Sequence, residues 1–521
     1  MWLAWVLAAF AAPAQEAEPE RPNILILFAD DLGRYASAYA DEARPSVNDA
    51  IATPNFDWIA EQGVLATNAF VSAPSCTPSR AALVSGRHFF RNGSCSQLHH
   101  NWYGEADDPW LQVDGYGQIL GRAGYHVGLT YKNHVKGQHF GKAYQPGGRR
   151  VNGYSQFVSK QEDIEAAKQL LDEEVRANFR AFLKGRKEGQ PFLYSFHPTN
   201  PHRKWVRGSG KALWGIDPDA LQGKMPPFLP DVPVIREDFA DYLGEAMAFD
   251  RSCGVLLQEL RAMGELDNTL VIISGDHGAP GFPRGKTNCY DFGSRVLFAA
   301  RWPGQVKAGQ VVGQPISLID VAPTVLAAAG VDAVEGMNGQ DLLPALREAD
   351  HSLLRGWALI GRERHVGRGR AELQGYSSRA IRTADALLIL NFTYQRTPNG
   401  DPIEGEAELP FDKLANDTYA AYPDIDASPT KAWMVRNQAD ESIAWHWKLG
   451  FGQRLPEELY ILADDPHQVV NRAGDPKFDA LREQLRRQLF AELERWEDPR
   501  LRGNLFDEPP YAQPSVKKAA K

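Results

Sequence analysis

The chain has 521 residues, 43% hydrophobic, 24% charged and 10% aromatic, an ordinary globular composition that excludes a disordered, collagen-like or coiled-coil protein. At roughly 150 residues per domain, two or three domains or one large domain with a satellite are expected. Lysine and arginine total 57 against 66 acidic residues, for a net charge of −9, so no global positive field steers the chain onto nucleic acid, and an anionic substrate would need a local basic pocket.

The first fourteen residues, MWLAWVLAAFAAPA, form an apolar run ending in Ala12-Pro13-Ala14, the small-residue pattern of a secretory cleavage site, although the run carries no Lys or Arg. A buried N-terminal helix is the alternative, weakened by the polar, proline-broken QEAEPERP that follows. No other stretch approaches the ~20 apolar residues of a membrane span. A soluble, exported protein, secreted or periplasmic, is expected.

Asn23 to Ala29 (NILILFA) is a continuous apolar run of strand length that stops at Asp30-Asp31, and PFLYSF at 191–196 and TLVIIS at 269–274 repeat the pattern. Amphipathic helical segments at 163–184 and 242–264 precede the latter two. This alternation predicts an α/β domain with helices flanking a sheet and polar site residues at the carboxyl ends of its strands. From about residue 375 the texture changes to short β-like pieces (SRAIRT, ALLILNF), a loop-rich stretch with many Pro and Asp, and a helix over 478–496. The expected organisation is a signal peptide over 1–14, a main domain over 21–372, a smaller C-terminal α+β domain over 373–505 and a tail over 506–521.

Four cysteines, Cys76, Cys95, Cys253 and Cys289, are too few and too scattered for a disulfide scaffold, and no CxxC pair offers a zinc knuckle. Asp30-Asp31 and Gly275-Asp276-His277-Gly278 each follow a strand. A single such Asp often only caps the next helix, but two sets favour a shared divalent cation, and hard oxygen donors favour Ca²⁺ or Mg²⁺.

Cys76-Thr77-Pro78-Ser79-Arg80, followed by Leu83, Gly86 and Arg87, resembles the signature of the type I sulfatase family. Further family elements recur in order: Lys132-Asn133-His134, Pro201-His202-Arg203, Gly285-Lys286-Thr287-Asn288, Leu318 to Thr324, and Glu458-Leu459-Tyr460 with Asp465-Pro466. The resemblance covers Arg21 to about Asn471, and its nearest look is to the heparan N-sulfatase (sulfamidase) branch. It implies an alkaline phosphatase-like architecture with a large, mixed, mostly parallel sheet. It also implies conversion of Cys76 to 3-oxoalanine (formylglycine) by a formylglycine-generating maturase. An aldehyde hydrate places two hydroxyls on one carbon and so divides a difficult displacement into two easier steps.

The family pattern further implies Arg80 beside the nucleophile and Ca²⁺ bound by Asp30, Asp31, Asp276 and His277 with the hydrate of residue 76. Lys132 would hold sulfate, His134 would help release it, His202 would act as general acid and Lys286 would contact sulfate and leaving oxygen. His277 stands where many members carry Asn, and Lys286 where sulfamidase carries Arg. For the sugar, His99 and His100 (beside Trp102) and Arg364 and His365 are candidate contacts, with a solvated charged loop as the alternative for the latter pair. The expected activity is sulfate removal from a sulfated glycan, with exo-removal of N-sulfate from glucosamine of heparin or heparan sulfate as the leading substrate. The alternatives are an O-sulfatase on another saccharide, a phosphodiesterase or phosphonate monoester hydrolase, and a non-catalytic anionic-glycan-binding protein. Oligomeric state is left open.

Overall fold

The computed structural model describes residues 21–98 and 106–511; the signal-peptide segment, His99 and His100 lie outside the described residues. Four parallel strands form the centre of an eight-stranded sheet: β1 (Asn23–Ala29), β2 (His126–Tyr131), β3 (Phe192–His197) and β4 (Thr269–Gly275), side by side as β4-β1-β3-β2. Beyond β4 lie Phe298–Arg301, antiparallel to it, then Val64–Ala66 and Gln310–Val312; Lys142–Ala143 closes the edge beside β2. The sheet is thus mixed and mostly parallel, as expected.

Every residue of β1 is buried, because helices cover both sheet faces. Alternate residues divide between two cores. Leu25 and Leu27 join the helices α2 (Ile164–Leu183) and α3 (Pro233–Ala262), while Ile24, Ile26 and Phe28 face α1 (Cys76–Ser85) and the helix over Val321–Ala328. Asp163 caps α2 by accepting from the Ala166 amide, so that helix begins where expected. The third helix is longer than its predicted 242–264 span: it starts at Pro233, whose missing N–H is no loss at a first-turn position.

Register brings the strand ends together. Ala29 pairs with Gly275 and Tyr131 with His197, so the residues that follow them emerge at one edge. The Asp276 amide donates to Ala29 O (3.1 Å), and the Asp30 amide donates to Asn200 O (3.1 Å).

A second, antiparallel sheet runs β5 (Trp357–Arg362), β6 (Ser378–Thr383), β7 (Ala386–Asn391) and β8 (Glu457–Ile461), backed by α4 (Asp479–Arg495). Its first strand lies ahead of the expected boundary at residue 373, because cross-strand pairing with β6 draws Trp357 to Arg362 into this unit. The short helices Phe411–Asn416, Pro429–Arg436 and Ala444–Phe451 also depart from the predicted division. They bury Leu414, Met434, Val435 and Phe451 in the first domain's core. The two units are therefore interlocked.

One buried charge cluster ties the C-terminal residues to the second sheet. Arg379 of β6, fully enclosed, pairs with Glu363 (2.9 Å) and is forked by Asp498 (Nη2 to Oδ1, 2.9 Å). Breaking a buried pair by removing one partner costs about 3–5 kcal/mol. Because Glu363 remains, Asp498→Ala is expected at the lower end, about 3 kcal/mol. A clear drop in thermal midpoint with unchanged turnover per folded molecule would match this; an unchanged midpoint would refute it.

Candidate active site

The site is built where β1, β2 and β4 end and α1 begins. Asp30, Asp31, Arg80, Asp276 and His277 are all fully buried there. Gly275 and Gly278 flank the Asp276-His277 pair for a steric reason: a Cβ at either would lie 2.0 Å from a backbone oxygen, Leu32 O and Phe292 O respectively. Asp31, Tyr131, His134 and Thr287 all adopt positive φ, an unfavourable conformation for non-glycine residues that clusters at functional sites. The Asp31 amide donates to Asp276 Oδ1 (2.8 Å) and Asp31 O accepts from the Tyr242 hydroxyl (2.9 Å), which fixes this turn.

Cys76 opens α1, where the unpaired amides of the first turn favour negative charge. One turn later Arg80 links two strand ends, with Nε to Asp276 Oδ2 at 2.9 Å and Nη2 to Asp30 Oδ1 at 3.2 Å. Its Nη1 is buried without a partner among the described residues. Lys132, directly after β2, places Nζ 2.6 Å from both oxygens of Asp30. Lys286 Nζ is 3.1 Å from Asp31 Oδ2. His277 Nε2 lies 3.2 Å from Asp31 Oδ1, 3.5 Å from Asp276 Oδ1 and 3.4 Å from Cys76 Sγ. His202, partly exposed, has Nε2 3.9 Å from Asp31 Oδ2. His134 is tied to α1 through its carbonyl, which accepts from Thr77 Oγ1 (3.1 Å). Desolvation, then the Lys132 charge, lower the His134 imidazole below its ordinary range, although the residue itself is exposed.

Electrostatics at Cys76 favour an anion. Burial alone would raise its thiol, but Lys132, then Lys286, outweigh it and bring the pKa to about 6. Burial would also raise Asp30, yet Lys132 and then Arg80 hold it well below the usual carboxylate range. Burial, opposed by His277 and reinforced by Asp30, pushes Asp276 up to about 7. Burial disfavours a charged His277, but Asp276 and Asp31 raise it to about 9. Carboxylates crowded this closely repel one another, and a divalent cation relieves that repulsion. Potential ligand atoms of Asp31, Cys76 and His277, and of Asp30, Cys76 and Asp276, lie within 4.8 Å of one another. This oxygen-rich donor set fits a hard cation, provided His277 gives up its proton to ligate.

One expected contact lies elsewhere, one arrives, and one residue that was not expected joins the site. Arg364 does not join the site: it is buried, and its guanidinium donates to the carbonyls of Leu373 (3.3 Å) and Tyr511 (3.1 Å) after the chain turns away from β5. His365 does arrive, under the start of α1, with Nδ1 2.8 Å from the Ser75 hydroxyl. Asp426, which no motif marks, comes from the loop before the Pro429–Arg436 helix, its Oδ2 3.1 Å from Lys286 Nζ. Burial would raise Asp426, but Lys286, then His202 and His365, hold it below the ordinary range. Nothing in the sequence links positions 286 and 426.

The sulfatase family model matches residues 22–331. The chain belongs to the sulfatase family. The human (Homo sapiens) N-sulphoglucosamine sulphohydrolase is 31% identical to it over 506 residues, covering 90% of this chain and 89% of that protein. An ulvan-active sulfatase of Formosa agariphila is 26% identical over 494 residues, covering 92% and 75%. Among solved structures, one in complex with its substrate D-glucosamine-2-N,6-O-disulfate superposes with a TM-score of 0.60 at 18% identity, over 92% of this chain and 98% of that one. A phosphonate monoester hydrolase from Silicibacter pomeroyi gives 0.57 at 17% identity, over 92% and 96%. The structural likenesses establish the alkaline phosphatase-type fold, and the family establishes a hydrolase of the sulfatase class.

For this sulfatase, added Ca²⁺ should raise the thermal midpoint of chelator-treated protein, since a ligand bound only by the folded state stabilises it. Asp276→Asn should abolish most of that rise. No rise in the unsubstituted protein, with metal content verified by elemental analysis, would remove the cation site.

Proposed function

We propose that this sulfatase removes N-sulfate, in exo fashion, from terminal glucosamine of heparin or heparan sulfate, using formylglycine made from Cys76 by a maturase. The observation that carries the substrate is the 31% identity to N-sulphoglucosamine sulphohydrolase over nearly the whole of both chains. Action on a sulfated glycan also agrees with the ulvan-active relative. Export to the periplasm or medium belongs to the same proposal. Among the described residues no helix is long and apolar enough to cross a membrane.

The chemistry follows from the charges around residue 76. Formylglycine hydrate supplies a nucleophilic oxygen at the start of α1. A Ca²⁺ ion held by Asp30, Asp31, Asp276 and His277 would polarise sulfate oxygens when bound. Lys132, partly buried, and Lys286, buried, both act on the charge at residue 76 and bind the sulfate, whose negative charge their ammonium groups offset. Arg80, locked by two carboxylates, holds the carboxylate frame while its uncommitted Nη1 adds positive potential. His202 is close to Asp31 yet partly open to solvent, a position suited to giving a proton to the departing nitrogen or oxygen. The family pattern gives sulfate release to His134, which lies on the positive-φ turn after β2.

Cys76→Ala should abolish turnover without unfolding the protein, and Cys76→Ser should match it wherever the host does not convert serine. The mass of the peptide containing residue 76 should read aldehyde or hydrate; a free thiol in fully active protein would defeat the mechanism. His202→Ala should slow N-sulfated glucosamine by roughly 10²–10⁴-fold but aryl sulfates far less, since only poor leaving groups need the proton. Equal losses would assign His202 to sulfate positioning. Cleavage of 6-O-sulfated or galactose-based saccharides with N-sulfated glucosamine untouched would overturn the substrate, and faster turnover of a bis-aryl phosphate than of any sulfate would overturn the sulfatase reading of the site.

A further inference from the structure

We infer that Asp426 makes the site prefer a sulfamate over a sulfate ester, its carboxylate accepting a hydrogen bond from the N–H that joins sulfate to an amino sugar. This deepens the N-sulfatase proposal and rests on it.

The loop that carries Asp426 is fixed on every side. Asp424 pairs with Arg362 (3.0 Å) and Arg370 (2.7 Å). Ser428 Oγ donates to Gly281 O (2.6 Å), and Thr430 Oγ1 donates to Asp238 Oδ2 (2.6 Å). Asp238 in turn forks Arg203, the residue after His202. Lys431, enclosed by protein, donates to the carbonyls of Ile425 (2.9 Å) and Thr418 (3.0 Å). Asp424, Ser428, Thr430 and Lys431 are no more than 1% exposed, whereas the Asp426 side chain keeps 20% of its surface open. A rigid loop thus presents one carboxylate beside Lys286, on the side of the site that also holds His202 and His365.

A carboxylate is an unfavourable neighbour for a sulfate. It neutralises part of the Lys286 charge and repels the anion, so its presence demands a donor on the substrate. The atom linking sulfate to the sugar supplies the distinction. An ester oxygen offers only lone pairs and meets repulsion at Asp426, whereas a sulfamate nitrogen carries one hydrogen and donates. After N–S cleavage the nitrogen becomes an amine, which again offers donors to the same carboxylate. Sites built around a hydrogen bond reject analogues that lack the donor because a polar group is then left unpaired.

The test uses glucosamine N-sulfate and glucose 2-O-sulfate, which differ only in NH against O at one ring position. Binding is measured by calorimetry on Ca²⁺-loaded Cys76→Ala protein, which does not turn over. The N-sulfate should bind tighter by roughly 10–100-fold, in line with one charge-assisted hydrogen bond gained and one repulsion avoided. Adding Asp426→Asn should shrink that ratio to about three-fold or less, because the amide can turn its NH₂ toward an ester oxygen. Asp426→Ala removes the acceptor without adding a donor and gives the same comparison if the Asn variant does not fold. In the converted enzyme the kcat/KM ratio for the two sugars should follow the binding ratio. An unchanged ratio in folded Asp426 variants overturns the role of Asp426 and leaves the N-sulfatase proposal standing. No preference in the parent protein overturns the inference. Failure of the converted enzyme to cleave glucosamine N-sulfate overturns both.

Discussion

Three carboxylates with no solvent exposure, Asp30, Asp31 and Asp276, are the constraint around which this molecule is arranged. An unpaired buried carboxylate is prohibitively costly, so each must be matched by positive charge or hydrogen-bond donors. The matching groups come from everywhere: Arg80 from a helix, Lys132 from a strand end, Lys286 and His277 from the segment after β4. Together they draw α1, β1, β2 and β4 to one point. The same surplus of cations that compensates the acids leaves a positive potential at residue 76, and that potential suits a sulfate.

The scaffold around this point is stiff for separate, local reasons. Parallel register puts Ala29 opposite Gly275, so Asp30 and Asp276 emerge side by side. Two glycines let neighbouring carbonyls approach within distances that no Cβ would allow. Turns with positive φ at Asp31, Tyr131 and Thr287 point side chains inward at a conformational cost that packing sustains. A cation bound here would find its carboxylates already gathered, and would compete with the His277 proton and with the Lys132 contacts on Asp30.

The C-terminal part does more than cover the catalytic domain. Its second sheet supplies His365 through the end of β5, and its helical insertion supplies Asp426. The insertion buries its apolar side chains in the first core while pairing its acids with Arg362, Arg370 and Lys286. In the proposed function these groups face the sugar and can change with this insertion while the charged centre around residue 76 stays constant.

The sequence by itself determined three of the four central strands, the acids at the ends of two of them and the Cys76 to Arg80 helix start, while the strand His126–Tyr131 emerged only from its pairing with Phe192–His197. The former depend on local patterns: an apolar run buried on both faces, a polar break after it, and fixed spacing along one helix turn. The family resemblance added Lys132, His202 and Lys286, which the structure brings to the same edge. Only the tertiary structure decided that the Pro- and Asp-rich stretch after residue 400 packs into the first core, that β5 belongs to the second sheet, that Arg364 turns away and that Asp426 meets Lys286. Those outcomes depend on pairings between residues far apart in the chain, where a short loop's composition is compatible with many placements and only the buried charges and apolar faces it finds select one.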